Sequence, residues 1–229
     1  MTDSRGKYAS AIQIERRARI LDETLKLLEQ ERPADLSMGQ IAELSAVSTK
    51  TLHNLFNNRT TLFLAAAARN SGNVEARLAV GGIERIIELT RSTMVVFKQS
   101  PEFMSTVTSV VLGISAEEEA EHGRIGRTET LFCASLQAAK ADGDLLPETD
   151  CTQLAQLLSA SQWGVTLLWQ KGLVSLETLE KHAVIKHCTD LMPFCVASRQ
   201  KWLQALMAET LNKMGVIEEH GHNKILKAV

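Results

Sequence analysis

The sequence predicts an all-α protein, and three features of its 229 residues support that prediction. Four prolines and thirteen glycines are few for this length. Ala, Leu, Glu, Gln and Lys, which favour helices, dominate long stretches, whereas β-branched and aromatic runs typical of strands are scarce. With 45% hydrophobic and 23% charged residues, the composition is that of a globular protein and excludes wholesale disorder.

Composition also bears on the setting of the protein. The first ten residues are polar with no apolar block behind them, and no apolar run approaches the roughly 20 residues of a membrane span, so we expect a cytoplasmic protein without membrane contact. The cysteines lack the close spacing of metal ligands, and we expect small buried hydrophobes and neither a metal nor a cofactor. They are Cys133, Cys151, Cys188 and Cys195.

Charge is unevenly distributed along the chain, although the net charge is only −2. Residues 1–20 carry five basic and two acidic groups, whereas residues 71–229 carry 15 basic and 19 acidic groups. A basic N-terminal segment followed by an acidic remainder is typical of a protein that binds phosphates only through its N-terminal part.

The first helix is predicted from Ala11 to Gln30, with the break after it marked by Pro33. Before it, Arg5 and Lys7 lie on an arm that either follows a groove of DNA or is a solvated tail. The apolar face of the helix recurs at steps of four and three. It comprises Ile14, Ala18, Leu21, Leu25 and Leu28.

Two short helices and the start of a third, longer one are predicted between residues 36 and 63. Ser37, with Gln40 three residues later, forms a capping box that opens the first of them. Residues 45–47 leave room only for a tight turn, after which Ser48 caps the second helix and Asn58 caps a third that begins at Arg59. These are the dimensions of a helix-turn-helix, and a plain helical hairpin inside a bundle is the alternative.

The exposed face of the second short helix favours DNA binding. Every side chain on it is a hydrogen-bonding group or a potential cation, and no carboxylate occurs between Glu43 and Glu75, although an acidic protein normally solvates such a face with Glu or Asp. Lys50 can donate to guanine and Asn54 can pair with adenine or reach phosphate, while helix N-termini can bind phosphate. The predicted DNA-binding residues are Ser37, Ser48, Thr49, Lys50, Thr51, His53, Asn54 and Arg59.

This stretch resembles the signature of the TetR family of transcriptional regulators over residues 11–63, and beyond it only the order and lengths of helices match. Three residues depart from the family pattern. Ala46 replaces a turn glycine, which predicts a strained left-handed residue. His53 replaces a tyrosine that contacts the DNA backbone, and Arg59 replaces a lysine. The matching residues are Ile41, Ala42, Val47, Ser48, Thr51, Leu52, Phe56, Arg59 and Leu62.

The resemblance implies a homodimer that binds a near-palindromic operator through two recognition helices about 34–36 Å apart. A small-molecule effector would shift the helix that follows the DNA-binding domain and release the DNA. It further implies a DNA-binding domain at 1–58 and an effector-binding and dimerisation domain at 59–229. A repressor is expected. An activator, or an adaptor without effector-controlled DNA release, is the alternative, and an adaptor would have acidic or apolar residues on the recognition face.

The remainder of the chain is predicted to be a run of helices, several with clear boundaries. Gly143 and Gly172 close two of them, Asp150 and Ser175 cap two others, and Pro101 stands at a helix start. The predicted helices cover about 60–79, 83–99, 103–114, 116–142, 150–171, 175–192 and 198–214, with a frayed tail beyond Gly215.

By the resemblance, several of these helices enclose an effector cavity, and we expect an apolar or amphipathic ligand because Met, Leu and aromatic residues dominate their inner faces. Each such residue could equally be part of the core. Gln137, Gln162 and Thr108 are the expected polar anchors. The predicted effector-binding residues are Met94, Phe97, Met104, Phe132, Leu136, Trp163 and Leu167.

The helices at about 150–171 and 175–192 are predicted to form the dimer interface, because their apolar faces are wider than one subunit needs. The alternative is that both stripes are internal, and the C-terminal helix would then be the next candidate. The predicted interface residues are Leu154, Leu157, Leu158, Ser161, Val165, Leu168, Leu179 and Ala183.

An enzyme is the competing class of function. His182 and His187 are five residues apart and do not share a helix face, which argues against a zinc pair. No Ser/His/Asp order, glycine-rich phosphate loop or nucleophile elbow is present, so we expect no catalytic residues.

Overall fold

The computed structural model describes residues 3–31, 34–75, 81–113 and 124–225. Within these ranges it has ten α-helices, a 3₁₀ turn at Met192–Phe194 and no strand beyond an isolated bridge between Leu145 and Cys195, which confirms the all-α prediction. The helices are α1 Asp3–Gln30, α2 Met38–Leu44, α3 Thr49–Phe56, α4 Arg59–Glu75, α5 Gly82–Gln99, α6 Pro101–Gly113, α7 Arg124–Ala141, α8 Cys151–Gln170, α9 Leu179–Leu191 and α10 Ala197–Ile225.

The chain divides into two compact units. The first comprises Met1–Ala76 and Gln99–His122, and the second comprises Arg77–Lys98 and Gly123–Val229. In this division α4 is in the same unit as α1 and α3, with which it packs, whereas the sequence assigned residues 59 onward to the second domain.

In the first unit α1 is longer than predicted, because its backbone is helical from Asp3 and includes the segment expected to be an arm. Its buried side also differs from the prediction, since Ile14 is 67% exposed. The break expected at Pro33 lies outside the described residues. The buried side of α1 is made by Ile20, Leu21, Thr24, Leu27 and Leu28.

Two contacts fix α4 within the first unit. The guanidinium of Arg69 donates to both carboxylate oxygens of Asp22 on α1, at 2.6 and 2.8 Å. This bidentate pair lowers the pKa of Asp22, chiefly through the hydrogen bond. On the other side, the rings of Phe63 and Phe103 of α6 meet edge to face, with centroids 6.3 Å apart.

The second unit has a continuous apolar core formed by α5, α7, α8, α9 and the start of α10. Ile83 and Ile86 of α5 lie in the same cluster as Leu136 of α7 and Leu158 of α8. Arg199 of α10 joins the periphery, because it donates to Glu84 of α5 at 2.5 Å and pairs with Asp144 at 2.7 Å.

Helix ends in the second unit follow most of the predicted signals. Asp150 caps α8 by accepting from the backbone N–H groups of residues 152 and 153, and Gly143 and Gly172 adopt positive φ angles just after α7 and α8. The start of α9 is a correction, since Ser175 accepts from the N–H of Thr178 within a turn and the helix begins four residues later than predicted. A further correction is α10, which continues to Ile225 instead of fraying after residue 214. Residues 116–123 of the predicted 116–142 helix lie outside the described residues.

The cysteines fall into two classes. Cys188 and Cys195 are fully buried in the second core, and burial raises the pKa of each thiol to about 11. These two behave as the predicted small hydrophobes. Cys133 and Cys151 are only half-buried, contrary to the prediction for them. Of the helices within the described ranges, none combines the length and apolar character that crossing a membrane requires.

Candidate DNA-binding surface and sensor interior

The predicted capping box at the start of α2 is present. Ser37 Oγ accepts from the N–H of Gln40 at 3.2 Å, and Gln40 Oε1 accepts from the N–H of Ser37 at 2.9 Å. The two bonds satisfy backbone donors that the first turn of a helix leaves free. Ile41 and Ala42 are buried behind the cap, so the N-terminus of α2 is held against the core while Ser37 stays exposed.

The turn between α2 and α3 is a Schellman motif with alanine at the left-handed position. The N–H of Ala46 bonds to the carbonyl of Glu43, and the N–H of Val47 bonds to the carbonyl of Ala42. Ala46 has a φ of 51°, a conformation that glycine adopts without strain and alanine does not. The strain predicted from the missing turn glycine is therefore found, and the turn keeps its geometry nonetheless.

Helix α3, the predicted recognition helix, is buried on one side and exposed on the other. Leu52 and Phe56 are buried, whereas Thr49, Lys50 and Asn54 are exposed. Ser48 Oγ caps the helix by accepting from the N–H of Thr51 at 3.1 Å, and the two hydroxyls lie 2.8 Å apart. His53 is also exposed, and Thr51 is half-buried. All the predicted base-reading side chains thus share one accessible face of a capped helix.

One ring nitrogen of His53 is already engaged. Its Nδ1 lies 2.8 Å from the carbonyl oxygen of Asn57, and because a carbonyl only accepts, Nδ1 carries the proton and donates. The remaining ring atom, Nε2, is the one left for an outside partner. Asn57, which ends α3, has φ 59° and ψ −60°, and the N–H of Asn58 bonds to the carbonyl of Phe56, so Asn57 is at the centre of a γ-turn with positive φ, a rare and strained conformation.

Two arginines link the helices of the first unit to one another. The sequence predicted that one of them, Arg59, contacts DNA. Arg17 of α1 donates to the carbonyl of Leu55 at 2.7 Å, and its guanidinium carbon lies 4.2 Å from the centre of the Phe56 ring. Arg59 donates to the carbonyl of Leu36 at 3.1 Å, which ties the start of α4 to the residue before the capping box. Arg59 therefore has a structural bond in addition to its predicted phosphate contact.

The inner face of the second unit, where the effector site was predicted, is organised by a buried histidine. His187 of α9 is fully buried, and its Nε2 donates to the carbonyl of Leu158 at 3.3 Å while Nδ1 lies 2.9 Å from Thr90 Oγ1. Burial lowers the pKa of His187 to about 4, so the ring is neutral near pH 7. Phe132 meets this ring edge to face, with centroids 5.3 Å apart.

The contacts of α5 fix how the helices of this unit run beside one another. Thr90 is at the level of His187 and Leu158, whereas Phe97, two turns later, meets Trp169 edge to face at 5.0 Å. Helices α5 and α8 therefore run in the same direction. The ion pair between Lys98 and Glu180, at 3.1 Å, shows that α9 runs the opposite way.

Comparison with known proteins finds transcriptional regulators of similar fold. No family model matches the chain. The HTH-type transcriptional repressor KstR of Mycolicibacterium smegmatis is 24% identical over 184 residues, which are 78% of this chain and 88% of that protein. A TetR transcriptional regulator from Rhodococcus sp. RHA1 superposes with a TM-score of 0.61 at 18% identity, over 79% of this chain and 97% of that structure. FadR of Thermus thermophilus, a TetR-family repressor solved with lauroyl-CoA, gives 0.56 at 16% identity over 74% and 92%.

The chain has the TetR-family fold. The resemblance read from residues 11–63 is thereby confirmed. Because the similarity to the solved structure covers 79% of the chain, it extends well beyond residues 11–63, into the part where the sequence offered only helix order.

Within this TetR-type fold the predicted effector residues have different positions. Met94 and Phe97 of α5 and Phe132 of α7 are buried, and Leu136 lies in the apolar core of the second unit. Trp163 is half-buried. Met104 is buried in the first unit, on α6. Leu167 is 38% exposed, because it lies on the outer face of α8 and not among the inward side chains.

The polar residues expected to bind the effector also differ in burial and location. Gln162 is 8% exposed and points inward, whereas Gln137 lies on the exposed side of α7 and is no candidate. Thr108 is buried on α6 in the first unit. Ser159, which the sequence predicted to be a small residue beside the dimer stripe and not a polar anchor, is fully buried beside Gln162 on the same helix. A serine at a buried position of an apolar helix stripe was the signal that could have identified it.

Most of the predicted dimer stripe faces the interior of its own subunit. Five of its eight residues have an exposed fraction of 9% or less, and these five cannot make a surface. Ser161 is half-buried and donates to Asp190 at 2.5 Å. Only Leu157 and Leu168 are exposed, at 56% and 42%. The five interior residues are Leu154, Leu158, Val165, Leu179 and Ala183.

The exposed side of α8 nevertheless has an apolar stripe in a different register. Ala160 and Gly164 lie between Leu157 and Leu168 on the open side of the helix, and a Cβ added to Gly164 would meet nothing within 4 Å. Leu173, just after the helix, is 74% exposed. The sequence reading missed this register because the inner and outer faces of α8 are both apolar, and periodicity alone cannot decide which one faces solvent.

Proposed function

We propose that the chain is a ligand-responsive, DNA-binding transcriptional repressor that acts as a homodimer on a palindromic operator and has no catalytic activity. The observation that carries the proposal is the exposed face of α3, which presents Thr49, Lys50, His53 and Asn54 on a capped helix, in a stretch of sequence that has no carboxylate between Glu43 and Glu75. The matched KstR and FadR proteins are repressors by name, which is in keeping with this function.

DNA recognition follows from the chemistry of that face. Lys50 donates to guanine O6 or N7 in the major groove, and Asn54 pairs with adenine or binds phosphate. Ser37, at the N-terminus of α2, offers the positive end of the helix to the phosphate backbone. Thr49 and Thr51 contact phosphate or a thymine methyl group. These contacts account for both the positioning of the reader and its choice of bases.

The second unit supplies the ligand response. Its inner helices carry buried Met94, Phe97 and Phe132 together with the polar Gln162, a combination suited to an amphipathic effector. The FadR structure was solved with lauroyl-CoA, so a protein of this fold holds an acyl ligand. Binding of an effector would shift the helix that leads to the reader and change the spacing of the two recognition helices.

The dimer forms through the exposed side of α8. Leu157 and Leu168 are large apolar side chains open to solvent, and Ala160 and Gly164 between them allow a second helix to approach closely. A self-complementary stripe of this kind suits a two-fold axis, on which the same residues meet from both subunits. Two readers held by such an interface can bind successive major grooves on one side of the DNA.

Sequencing the genomic DNA retained by the purified protein tests the function directly. We expect enrichment of a short inverted repeat with half-sites about one helical turn apart, and affinity that falls steeply with salt because phosphate contacts release counterions. Retention of DNA without a common sequence, or no retention at low salt, would contradict a sequence-specific repressor.

A further inference from the structure

The inner side of α8 carries polar atoms that have no hydrogen-bond partner among the described residues. They are Ser159 Oγ, Gln162 Oε1 and Trp163 Nε1, and all three atoms are shielded from solvent. Ser159 is 0% exposed and Gln162 is 8% exposed. Native proteins leave only a few buried polar groups unpaired, because each one loses its hydrogen bonds to water on folding. Three such atoms on a single helix therefore require an explanation.

Spacing along α8 brings the three side chains together. Residues three and four apart in a helix are neighbours on its surface, so Ser159 is next to both Gln162, three positions on, and Trp163, four positions on. Nearby hydroxyls bond to their own helix, as Thr166 does to the carbonyl of Gln162 at 2.9 Å and Ser135 does to that of Leu131 at 2.9 Å. Ser159 makes no such bond, although a carbonyl one turn earlier offers the same opportunity.

The interior around these atoms is free of unpaired charge among the described residues. Two titratable groups of α9 contact α8: His187, which is neutral near pH 7 with both ring nitrogens in contact with polar atoms, and Asp190, which accepts from Ser161 and pairs with Lys186. The charged residues of the adjoining helices pair with one another at the periphery, as Lys98 does with Glu180 and Lys186 with Asp190. From α5, buried Phe97 meets Trp169 of α8, two turns beyond Gln162, and Met94 is buried one turn before Phe97.

We propose that the effector is a neutral amphipathic molecule whose polar group is an alcohol or a carboxamide held by Ser159, Gln162 and Trp163. With the Gln162 amide oriented as it is in the structure, its oxygen accepts and the indole N–H of Trp163 donates, so a ligand that satisfies both atoms accepts from Trp163 and donates to Gln162. A hydroxyl or a carboxamide does both. A carboxylate only accepts, and it would bring an unpaired negative charge against the Gln162 oxygen in a buried site. This assignment rests on the proposed function, in which the second unit binds the effector.

The proposal predicts an unusual sign for one stability change. Gln162→Leu removes a buried amide oxygen that has no partner among the described residues, so it should raise the melting temperature of the ligand-free, full-length protein by about 2–6 °C. An amide that merely supports the core would give a decrease. Gln137→Leu is the matched control, because Gln137 is exposed on α7 and the same substitution there should leave the melting temperature within about 1 °C.

Ligand chemistry is tested with three probes of equal chain length, namely 1-decanol, decanamide and sodium decanoate. We expect the two neutral probes to raise the melting temperature of the wild-type protein and decanoate to raise it much less. Gln162→Leu and Trp163→Phe should each weaken binding of 1-decanol by about 3- to 10-fold, the change that loss of one neutral hydrogen bond produces, whereas Gln137→Leu should not.

The outcomes separate this inference from the proposed function, because release of operator DNA is measured in the same samples. Stabilisation by decanoate equal to that by the neutral probes, no stabilisation by either neutral probe, or a lower melting temperature for ligand-free Gln162→Leu would overturn the inference and leave DNA binding untouched. Stabilisation by 1-decanol without release of DNA would contradict effector control and leave the ligand chemistry supported.

Discussion

The guanidinium of Arg59 donates a hydrogen bond of 3.1 Å to the backbone carbonyl of Leu36. This bond links the first residue of α4 to the residue that precedes the α2 capping box, across 23 positions of sequence. An arginine in this position both presents a cation beside two helix N-termini and fixes the position of one of them. Its loss should therefore affect folding and DNA binding together, which distinguishes it from residues that only read bases.

Lys50 and Arg59 should differ in how their loss acts. Lys50→Ala should weaken binding to the preferred operator by about 1–3 kcal/mol and relax the choice at one base pair, with an unchanged melting temperature, because Lys50 is exposed on α3. Arg59→Ala should weaken binding to all sequences alike and lower stability by about 1 kcal/mol. Gel-shift titrations over operator variants, with thermal melts of both proteins, measure these effects. A loss at Lys50 that is independent of sequence would contradict its role as a base reader.

The protein should be more stable with glycine in place of Ala46 in the turn between α2 and α3. Ala46 has a φ of 51°, which costs an alanine about 1–2 kcal/mol and a glycine little, although glycine loses more entropy on folding. We expect Ala46→Gly to raise the free energy of unfolding by about 0.5–1 kcal/mol. Ala208→Gly, the same substitution in the exposed middle of α10, should instead lower it by about 1 kcal/mol. Urea unfolding compares the two, and a decrease at both positions would contradict strain at the turn.

The helix-turn-helix segment was predicted well from the sequence, because the signals that define it are local. A capping box, a tight turn and the Ser48 and Asn58 caps each involve residues within three positions, and all of them have the expected geometry. Arg17 was missed as a positioning residue, because its partner Leu55 lies 38 positions away and no local pattern records such a contact.

The second unit was harder to predict, and α8 shows why. Both of its faces carry Leu, Ala and Ser at helical spacing, so the sequence alone could not separate the interior Leu154 and Leu158 from the exposed Leu157. The predicted start of α9 was wrong for a related reason. Ser175 and Thr178 both have side chains that can cap a helix, and the structure uses Ser175 to close a turn instead.

Gly164 gives a sharp test of the proposed dimer. A Cβ at this position meets nothing within 4 Å in the subunit, and glycine is the poorest helix former after proline, so Gly164→Gln should stabilise or leave unchanged the isolated subunit. In a close helix-helix interface the same side chain would clash. We therefore expect this variant, like Leu157→Glu, to sediment as a monomer and to lose operator binding.

The matched control for Gly164→Gln is Gly126→Gln on α7, where an added Cβ also meets nothing within 4 Å. This variant should remain dimeric and bind the operator. Analytical ultracentrifugation and gel shifts on all three variants complete the test. If Gly164→Gln and Leu157→Glu fold and stay dimeric, the outer face of α8 is not the interface, and α10 becomes the next surface to substitute.

Buried His187 should make the stability of the protein fall in mild acid. Its pKa is lowered from 6.5 to about 4 by burial, so between these values the unfolded chain binds a proton that the folded chain does not. Unfolding is therefore favoured progressively as the pH falls below about 6.5. From pH 7.5 to 5.5 this residue alone should reduce the free energy of unfolding by about 1 kcal/mol.

A variant without the imidazole isolates that contribution. His187→Gln can still donate to the carbonyl of Leu158 but does not titrate, so its free energy of unfolding should change less between pH 7.5 and 5.5 than that of the wild-type protein. Between pH 7.5 and 8.5 the two proteins should show the same dependence, because the ring is neutral in both states there. His187→Leu, which fills the site with an apolar side chain against Phe132, provides a second non-titrating protein if the glutamine is poorly accommodated. Urea unfolding at each pH gives the comparison, and equal slopes for wild type and both variants in the acid range would show that His187 is protonated in the folded protein.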